Sequence, residues 1–532
     1  MLYNNYFNVV VQIINQSRLL LFYVKKYCQN INCAIEFLLL FIFIRYYANA
    51  GEIHIGPGQP YPTLQAAASY IRAGDTVYLH SGEYRGYSFA QGLRGDSTAW
   101  IVFMPYHDEQ PVIRGNWQLS SIAYVRFERL RFQGDATSTT GPFLNIDNGG
   151  SCTTQSHHLV ISECFFGDNL QGNTLKFGGV DDFEVVGCTF RNQGDGNAGL
   201  ALNVCHRGWV HDNVFENVQG RAVQFKLGTT SVRFERNLVV GCGAIDAALR
   251  IGEAGGVNFH CPGDNWTARD IKVYSNIVIG GRAAFTIGQA QQCRIVHNTF
   301  VNPQQFVFRI LGEQPQFRCD SNSIINNIFY LTATRYFNGS TGSGTNIDYG
   351  SHVLDHNLFF FTLDPNWQPN PFGGPYDIEE LAGIQLTGNI VGDPLFVDLD
   401  RRDMRLRSGS PAIGNGAVVG EPITDFFGRP FRTPPSVGAV EEESVSVIEQ
   451  NHTSCVQLAN HLVTGPSFKL RVNSSLVGWV RVWDVAGREY PCPWEVASDG
   501  NIDLTVESLN KGFYIVVCKA GKHLLFCSIV LD

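Results

Sequence analysis

The chain has 532 residues, of which 44% are hydrophobic and 16% charged, with 55 glycines and 37 phenylalanines. It is too apolar and aromatic for a disordered chain and too long for one compact helical domain; its low charge and many glycines point to an all-β protein rich in turns. The formal net charge of −9 argues against a general nucleic-acid binder, since such proteins carry net positive charge.

In chain order, Lys25 and Lys26 precede an apolar run at residues 34–44, and Ala48-Asn49-Ala50 follows it. A charged start, a short apolar stretch and an A-x-A end make residues 1–50 a secretory signal peptide with cleavage after Ala50; a membrane anchor is the alternative. The mature protein is then secreted or held at the cell surface. Cys28 and Cys33 leave with the signal. Cys164 and Cys188 fall inside a repeat, where disulfides and buried thiols both remain open. No C-x-x-C pair occurs, so a zinc site is not expected.

Residues 63–72 (TLQAAASYIR) predict a short amphipathic helix capped by Thr63 and ended by Gly74, before a strand and the turn Ser81-Gly82-Glu83-Tyr84. This order resembles the N-terminal cap of right-handed parallel β-helices such as the pectate-lyase-like proteins.

A short pattern then recurs: an Asn or Cys, one residue, then an apolar or aromatic residue. It places Cys164, Cys188, Asn213, Asn237, Asn276, Asn298, Asn327 and Asn357 at steps of 24, 25, 24, 39, 22, 29 and 30. Such a period, with two-residue alternation inside each unit, predicts a solenoid of strands. No single coil can bury its inward side chains, whereas stacked coils build one long core. Asparagines at the same corner of every coil are expected to form a hydrogen-bonded ladder.

Each coil also holds a strand of the form apolar-X-apolar. With the apolar residues inward, the outward column reads Asn145, Lys176, Asn203, Lys226, Arg250, Thr286 and Arg309. Two residues earlier stand Ala201, Gln224, Ala248 and Ala284, predicting a shallow trough beside the long basic side chains. The step from Arg250 to Thr286 is 36 residues, so a loop that includes His260 and Trp266 is expected to overhang the trough.

The repeat ends in Gly392-Asp393-Pro394, Asp425-Phe426-Phe427-Gly428-Arg429-Pro430 and Val437-Gly438-Ala439-Val440-Glu441. This string resembles the closing segment of exported bacterial β-helix proteins of the choice-of-anchor Q type. The solenoid is therefore assigned to residues 51–441, a polar linker to 442–455 and a small β-sandwich to 456–532. The last carries Asp484-Val485-Ala486-Gly487-Arg488 and Leu509-Asn510-Lys511-Gly512-Phe513-Tyr514 between strands. That order resembles the type IX secretion C-terminal sorting domain of Bacteroidetes, which implies the outer-membrane secretion machinery as a partner.

An acidic chain with an aligned column of Lys, Arg and Asn suits an anionic polymer, and an extended uronic-acid polysaccharide matches an extended trough. Cleavage by β-elimination needs a neutraliser for the uronate carboxylate, a base for the C5 proton and an acid for the leaving O4. Lys226 and Arg250, taken to sit level on adjacent coils, suit this chemistry because a neighbouring like charge lowers the lysine pKa. Residues 223–226 (VQFK) and 248–252 (ALRIG) resemble the chondroitinase B and alginate lyase family. The resemblance implies Lys226 as base and Arg250 as acid or carboxylate partner. His260 joins them as a further candidate, with Lys176, Asn203, Gln224, Arg309 and Trp266 binding substrate. The family's acidic calcium ligands are replaced here by Gln219 and Arg221, with Glu216 further back. Calcium is left open as a cofactor with no ligands assigned, and Asn203 or Arg309 is the alternative neutraliser. Two other functions stay open: a non-catalytic glycan-binding or adhesive surface protein, and a glycoside hydrolase, for which Asp246 and Glu253 flank the Arg250 strand. A monomer is expected.

Overall fold

The computed structural model describes residues 51–442, apart from 136–140, 171, 195–196, 254–264, 333–335, 339–345 and 364–382, together with the strands of a second unit between 461 and 531. The chain divides into two units, Met1–Glu443 and Ser444–Asp532. The expected signal peptide and almost all of the expected linker lie outside the described residues.

The first unit is a parallel β-helix, as the repeat predicts. Each full coil visits three sheets in turn. Among the described residues the first sheet has 15 strands and runs from Glu52–Ile55 to Gln385–Thr387. The second has 12, from Gly82–Tyr84 to Ile390–Val391, and the third has 10, from Tyr87–Gln91 to Tyr336–Asn338. One coil serves as example: Val180–Val186 lies in the first sheet, Thr189–Gln193 in the second, Ala198–Asn203 in the third. Inward alternation stacks like on like. Phe132, Phe166, Phe190 and Phe215 form a ring column at centroid spacings of 5.0, 5.0 and 4.5 Å, close to the strand spacing.

The predicted asparagine ladder stands at the corner between the first and second sheets. The side-chain amide of Asn213 donates to Asn237 at 3.0 Å, Asn237 to Asn276 at 3.0 Å, Asn276 to Asn298 at 2.9 Å, Asn298 to Asn327 at 2.9 Å and Asn327 to Asn357 at 2.9 Å. Asn389 adds a further rung, accepting from Asn357 at 3.0 Å. The residue before each ladder position has positive φ, for example Asp212, Arg236 and His297, so the corner is a left-handed kink that strips the backbone of its strand partners. The asparagines replace those partners. Cys164 and Cys188 occupy the same corner lower down as buried thiols, as do Cys205, Cys242, Cys293 and Cys319 elsewhere in the core, whereas Cys152 is disulfide-bonded.

At the N-terminal end Thr63 caps a helix, its Oγ1 accepting from Ala66 N at 3.2 Å. The helix is shorter than expected, spanning Leu64–Ala67. The buried Asp75 carboxylate takes the N–H groups of Arg72 and Gly51 at 2.8 and 2.9 Å, and this competing acceptor fixes a turn where the helix would continue.

The closing segment covers the outer face of the second sheet. Phe396, Met404, Leu406, Ala412, Val437, Ala439 and Val440 pack on Ile277, Val301, Ile328, Leu358 and Phe360. Its Asp-Phe-Phe-Gly-Arg string has a clear local logic. Asp425 is fully buried, accepts from the N–H groups of Phe427 and Arg429 at 2.9 and 2.8 Å, and pairs with the Arg429 guanidinium at 2.7 Å. The second unit contains a five-stranded sheet, which includes Val477–Asp484, Gly512–Ala520 and His523–Leu531, and a three-stranded sheet.

Candidate functional site

The strands of the third sheet fix which side chains lie level. Gln118, Asn145, Lys176, Ala201, Gln224, Arg250, Thr286 and Arg309 form one row. Asp147, Gly178, Asn203 and Lys226 form the next. Lys226 therefore does not sit level with Arg250, contrary to the sequence expectation; Gln224 does. The cause is that residues 223–227 contain the apolar-X-apolar pattern twice, around Gln224 and around Lys226. A slip of two residues keeps the same face outward, so alternation cannot choose between the frames. Residues 200–204 are ambiguous in the same way around Ala201 and Asn203. Ala248 and Ala284 are not trough-lining neighbours either, because both belong to the main buried core.

The row through Arg250 is a packed ion network rather than an open column of cations. Arg250 is only 3% exposed. Its Nε donates to Gly252 O at 2.9 Å, its Nη2 pairs with Glu313, and its Nη1 lies 3.7 Å from Asp246 Oδ1. Asp246 also takes Arg221 Nε at 2.7 Å and stands 3.7 Å from Arg309 Nη1. Gln224 donates to Glu253 and accepts from Arg221 Nη1 at 3.3 Å. Three arginines thus face three carboxylates, the balance that buried charge requires. Burial alone would raise the Asp246 carboxyl, but Arg250, Arg221 and Arg309 outweigh it and hold it below its ordinary range. A carboxylate kept ionised in this way is a poor general acid.

Lys226 differs from these arginines. It is half-buried, and among the described residues its ammonium has no ion-pair partner. Burial pushes its pKa down. Glu253 opposes that shift, while Arg221, Lys176 and Arg250 add to it. Among the described residues, the buried Oδ1 of Asn203, which is level with Lys226 on the adjacent coil, has no hydrogen-bond partner, and neither has Thr286 Oγ1 beside Arg250. Unmatched polar atoms are uncommon in a finished core and common where a ligand completes a site.

The structure therefore brings Lys176, Asn203, Gln224, Lys226, Arg250 and Arg309 onto one sheet face, but it places Arg250, Gln224 and Arg309 among internal partners. Trp266 stacks with Arg269 of the first-sheet strand Ala268–Arg269 at 4.8 Å, and no contact among the described residues joins it to Lys226. His260 lies outside the described residues. Sequence reasoning missed Glu313 and the partnership of Arg221 with Asp246. Neither follows the repeat, and the one available signal was an excess of acids around the Arg250 strand. The residues present do not suit calcium at the place where the resemblance would put it. Glu216 is paired with Arg191 at 2.5 Å and with Arg402 at 3.6 Å, and Arg221 is a cation. Among the described residues no group of three or more His, Cys, Asp or Glu is placed to hold a metal.

No protein-family model matches the sequence, and no curated protein matches it. Among solved structures the chain is similar to a pectate lyase, at 13% identity over 74% of this chain and 97% of that one, with a TM-score of 0.46. It is also similar to a family-6 polysaccharide lyase from Pseudopedobacter saltans, at 12% identity over 74% and 99% with a TM-score of 0.41. A lacto-N-biosidase from Eubacterium ramulus is similar at 11% identity over 64% and 67%, with a TM-score of 0.41. At these identities the likeness is one of architecture, and no residue role is carried over from it.

Proposed function

We propose that this chain is an exported lyase that cleaves a uronate-containing polysaccharide by β-elimination, with Lys226 as the base. The observation that carries the proposal is Lys226 itself: a half-buried amine without an ion-pair partner among the described residues, on a face where every neighbouring arginine is already paired. In its neutral form Lys226 Nζ takes the proton from C5. The electron pair forms the C4–C5 double bond as the C4–O4 bond breaks, and O4 leaves with the proton carried by the new Lys226 ammonium. Lys176 and Asn203 offer a cation and an amide to the uronate carboxylate as charge develops on it. Arg250 acts as a positioning residue: fixed by Glu313 and Asp246, its positive charge favours the neutral form of Lys226.

Export rests on the leader pattern of residues 1–50 and suits the disulfide at Cys152. The second unit is read as a sorting module for outer-membrane secretion, because its two motifs adjoin Val477–Asp484 and Gly512–Ala520, strands of one sheet.

The test is to incubate mature protein with alginate, pectate and chondroitin sulfate and follow the ultraviolet absorbance of the unsaturated uronate. A rise with at least one polymer is expected, and Lys226→Ala should cut it by about 100-fold or more, the usual contribution of a positioned base. An unchanged rate in that variant would reject the assignment. Retardation in a glycan-containing gel with no rise for any polymer would replace the lyase by a glycan-binding protein. New reducing ends without unsaturation would point to hydrolysis, with Glu253 and Glu313 as the carboxylates to replace.

A further inference from the structure

The outer face of the first sheet carries an arrangement that the proposed lyase site does not use. Trp209, on the central strand His206–His211, is 38% exposed. Its indole is nevertheless held firmly. Nε1 donates to Glu235 Oε2 at 3.1 Å, and Glu235 is only 1% exposed, held in turn by Arg233 at 3.1 Å and Arg236 at 3.4 Å. One face of the ring lies on His211, with centroids 3.7 Å apart and planes 25° from parallel. His211 is buried and clamped between Glu184 at 2.9 Å and Asp212 at 2.6 Å. One face and the N–H edge are thus committed to a braced support, the Arg236 guanidinium also lies over the ring at 5.8 Å, and the exposed area belongs to the rest of the indole. A tryptophan recruited only for packing gains most by full burial; one that is exposed yet oriented by buried charges presents a preorganised surface.

The strand register places Glu184 level with Trp209 on one side and Arg233 on the other, with Lys272 and Arg294 continuing the row. Successive side chains in such a row are about 4.8 Å apart, near the roughly 5 Å repeat of an extended glycan. A flat apolar ring flanked at that spacing by a hydrogen-bond acceptor and by cations matches a pyranose, whose C–H face is apolar and whose rim carries hydroxyls and carboxylates.

We propose that this face is a second carbohydrate-binding site, in which the Trp209 ring takes the C–H face of one sugar of an acidic polysaccharide. Glu184 accepts from that chain's hydroxyls on one side, and Arg233 and Lys272, which also pair with Glu421 at 3.9 and 3.4 Å, meet its carboxylates on the other. The site lies on a different sheet from Lys226 and stands whether or not Lys226 is catalytic.

The test uses the full mature chain in native gels containing alginate, pectate, chondroitin sulfate or neutral xylan. Wild type and Lys226→Ala should both be retarded in at least one acidic-polymer gel. Trp209→Ala should raise the apparent Kd about tenfold, the scale of one aromatic contact, and Trp209→Phe should recover most of the binding. Oxidative footprinting read by mass spectrometry needs no variant: saturating polymer should protect Trp209 in the wild type. Trp209→Ala binding as wild type does, Trp209 oxidation unchanged by saturating polymer, or retention of the wild type by no acidic polymer would each overturn the proposal. Loss of elimination in Lys226→Ala with retention intact separates this site from the catalytic one.

Discussion

The outer faces of the third and first sheets carry the same ingredients, arginines beside carboxylates on level strands, and put them to different ends. On the third sheet Arg250 has a side chain 4% exposed and is spent on Asp246 and Glu313. On the first sheet the Arg233 side chain is 35% exposed and shares Glu235 and Glu421 with water. The aligned row of cations that composition leads one to seek on the third sheet is found instead on the first, at Arg233, Lys272 and Arg294. That row persists because Glu421 bridges it, lying 3.9 Å from Arg233 and 3.4 Å from Lys272 with its carbonyl accepting from Arg294 at 3.4 Å, and because water reaches it; in the more buried row Gln224 and Thr286 interrupt the charges on either side of Arg250.

The largest expected effect tests that difference directly. Arg250→Met leaves Glu313 without its guanidinium and Asp246 with fewer counter-charges. Breaking a buried pair on one side costs about 3–5 kcal/mol, whereas an exposed pair is worth about 0–1 kcal/mol. Thermal unfolding of the full chain should show a drop of several degrees for Arg250→Met and a smaller one for Arg233→Met, where Arg236 still neutralises the buried Glu235. Equal drops would mean that the two faces are energetically alike.

These contrasts also mark what the residues alone disclosed. The solenoid and its asparagine corner were legible because they repeat: a ladder from Asn213 to Asn357 announces itself by spacing, and the alternation marks inward side chains. The site was legible only by face. Lys226 and Arg250 were correctly assigned to outward positions of neighbouring coils, but their relative height was lost, because a two-residue slip leaves every inward residue inward. Arg250's burial was invisible because it depends on Glu313, a residue 63 positions away in a segment outside the repeat.

A middle-sized effect concerns acid. Asp246, which precedes the third-sheet strand Ala247–Ile251, and Asp212, which follows the first-sheet strand His206–His211, are both held below the ordinary carboxylate range. At Asp246 burial is overcome by Arg250, Arg221 and Arg309; at Asp212 burial is overcome by His211 and Arg236. A carboxyl whose folded pKa is depressed contributes stability that is fully present above its unfolded value and is lost as pH falls through the folded one. Asp246→Asn should therefore unfold at lower temperature than wild type near neutrality, and the gap should close as pH falls below about 4. Asp212 has a side chain 44% exposed against 14% for Asp246, so added salt should shrink the Asp212→Asn effect more. The same salt dependence at both positions would break the comparison.

The smallest effect bears on why Lys226 stands apart. Its pKa is depressed, chiefly by burial, so the unfolded chain holds that proton more tightly than the folded one. Near neutrality the charged amine is then a net cost to the fold, relieved only as pH rises through the folded value toward the ordinary lysine range. Lys226→Met, which keeps the stem and removes the charge, should leave stability unchanged or raise it, with a gain of up to about 1 kcal/mol, and the gain should fade at alkaline pH. A residue that performs a reaction is often carried at such a cost, whereas a surface lysine on a solvated strand carries none. Lys226→Met melting clearly below wild type would show that the amine serves the fold, and the third-sheet face would then hold one charge network instead of a network built around a base.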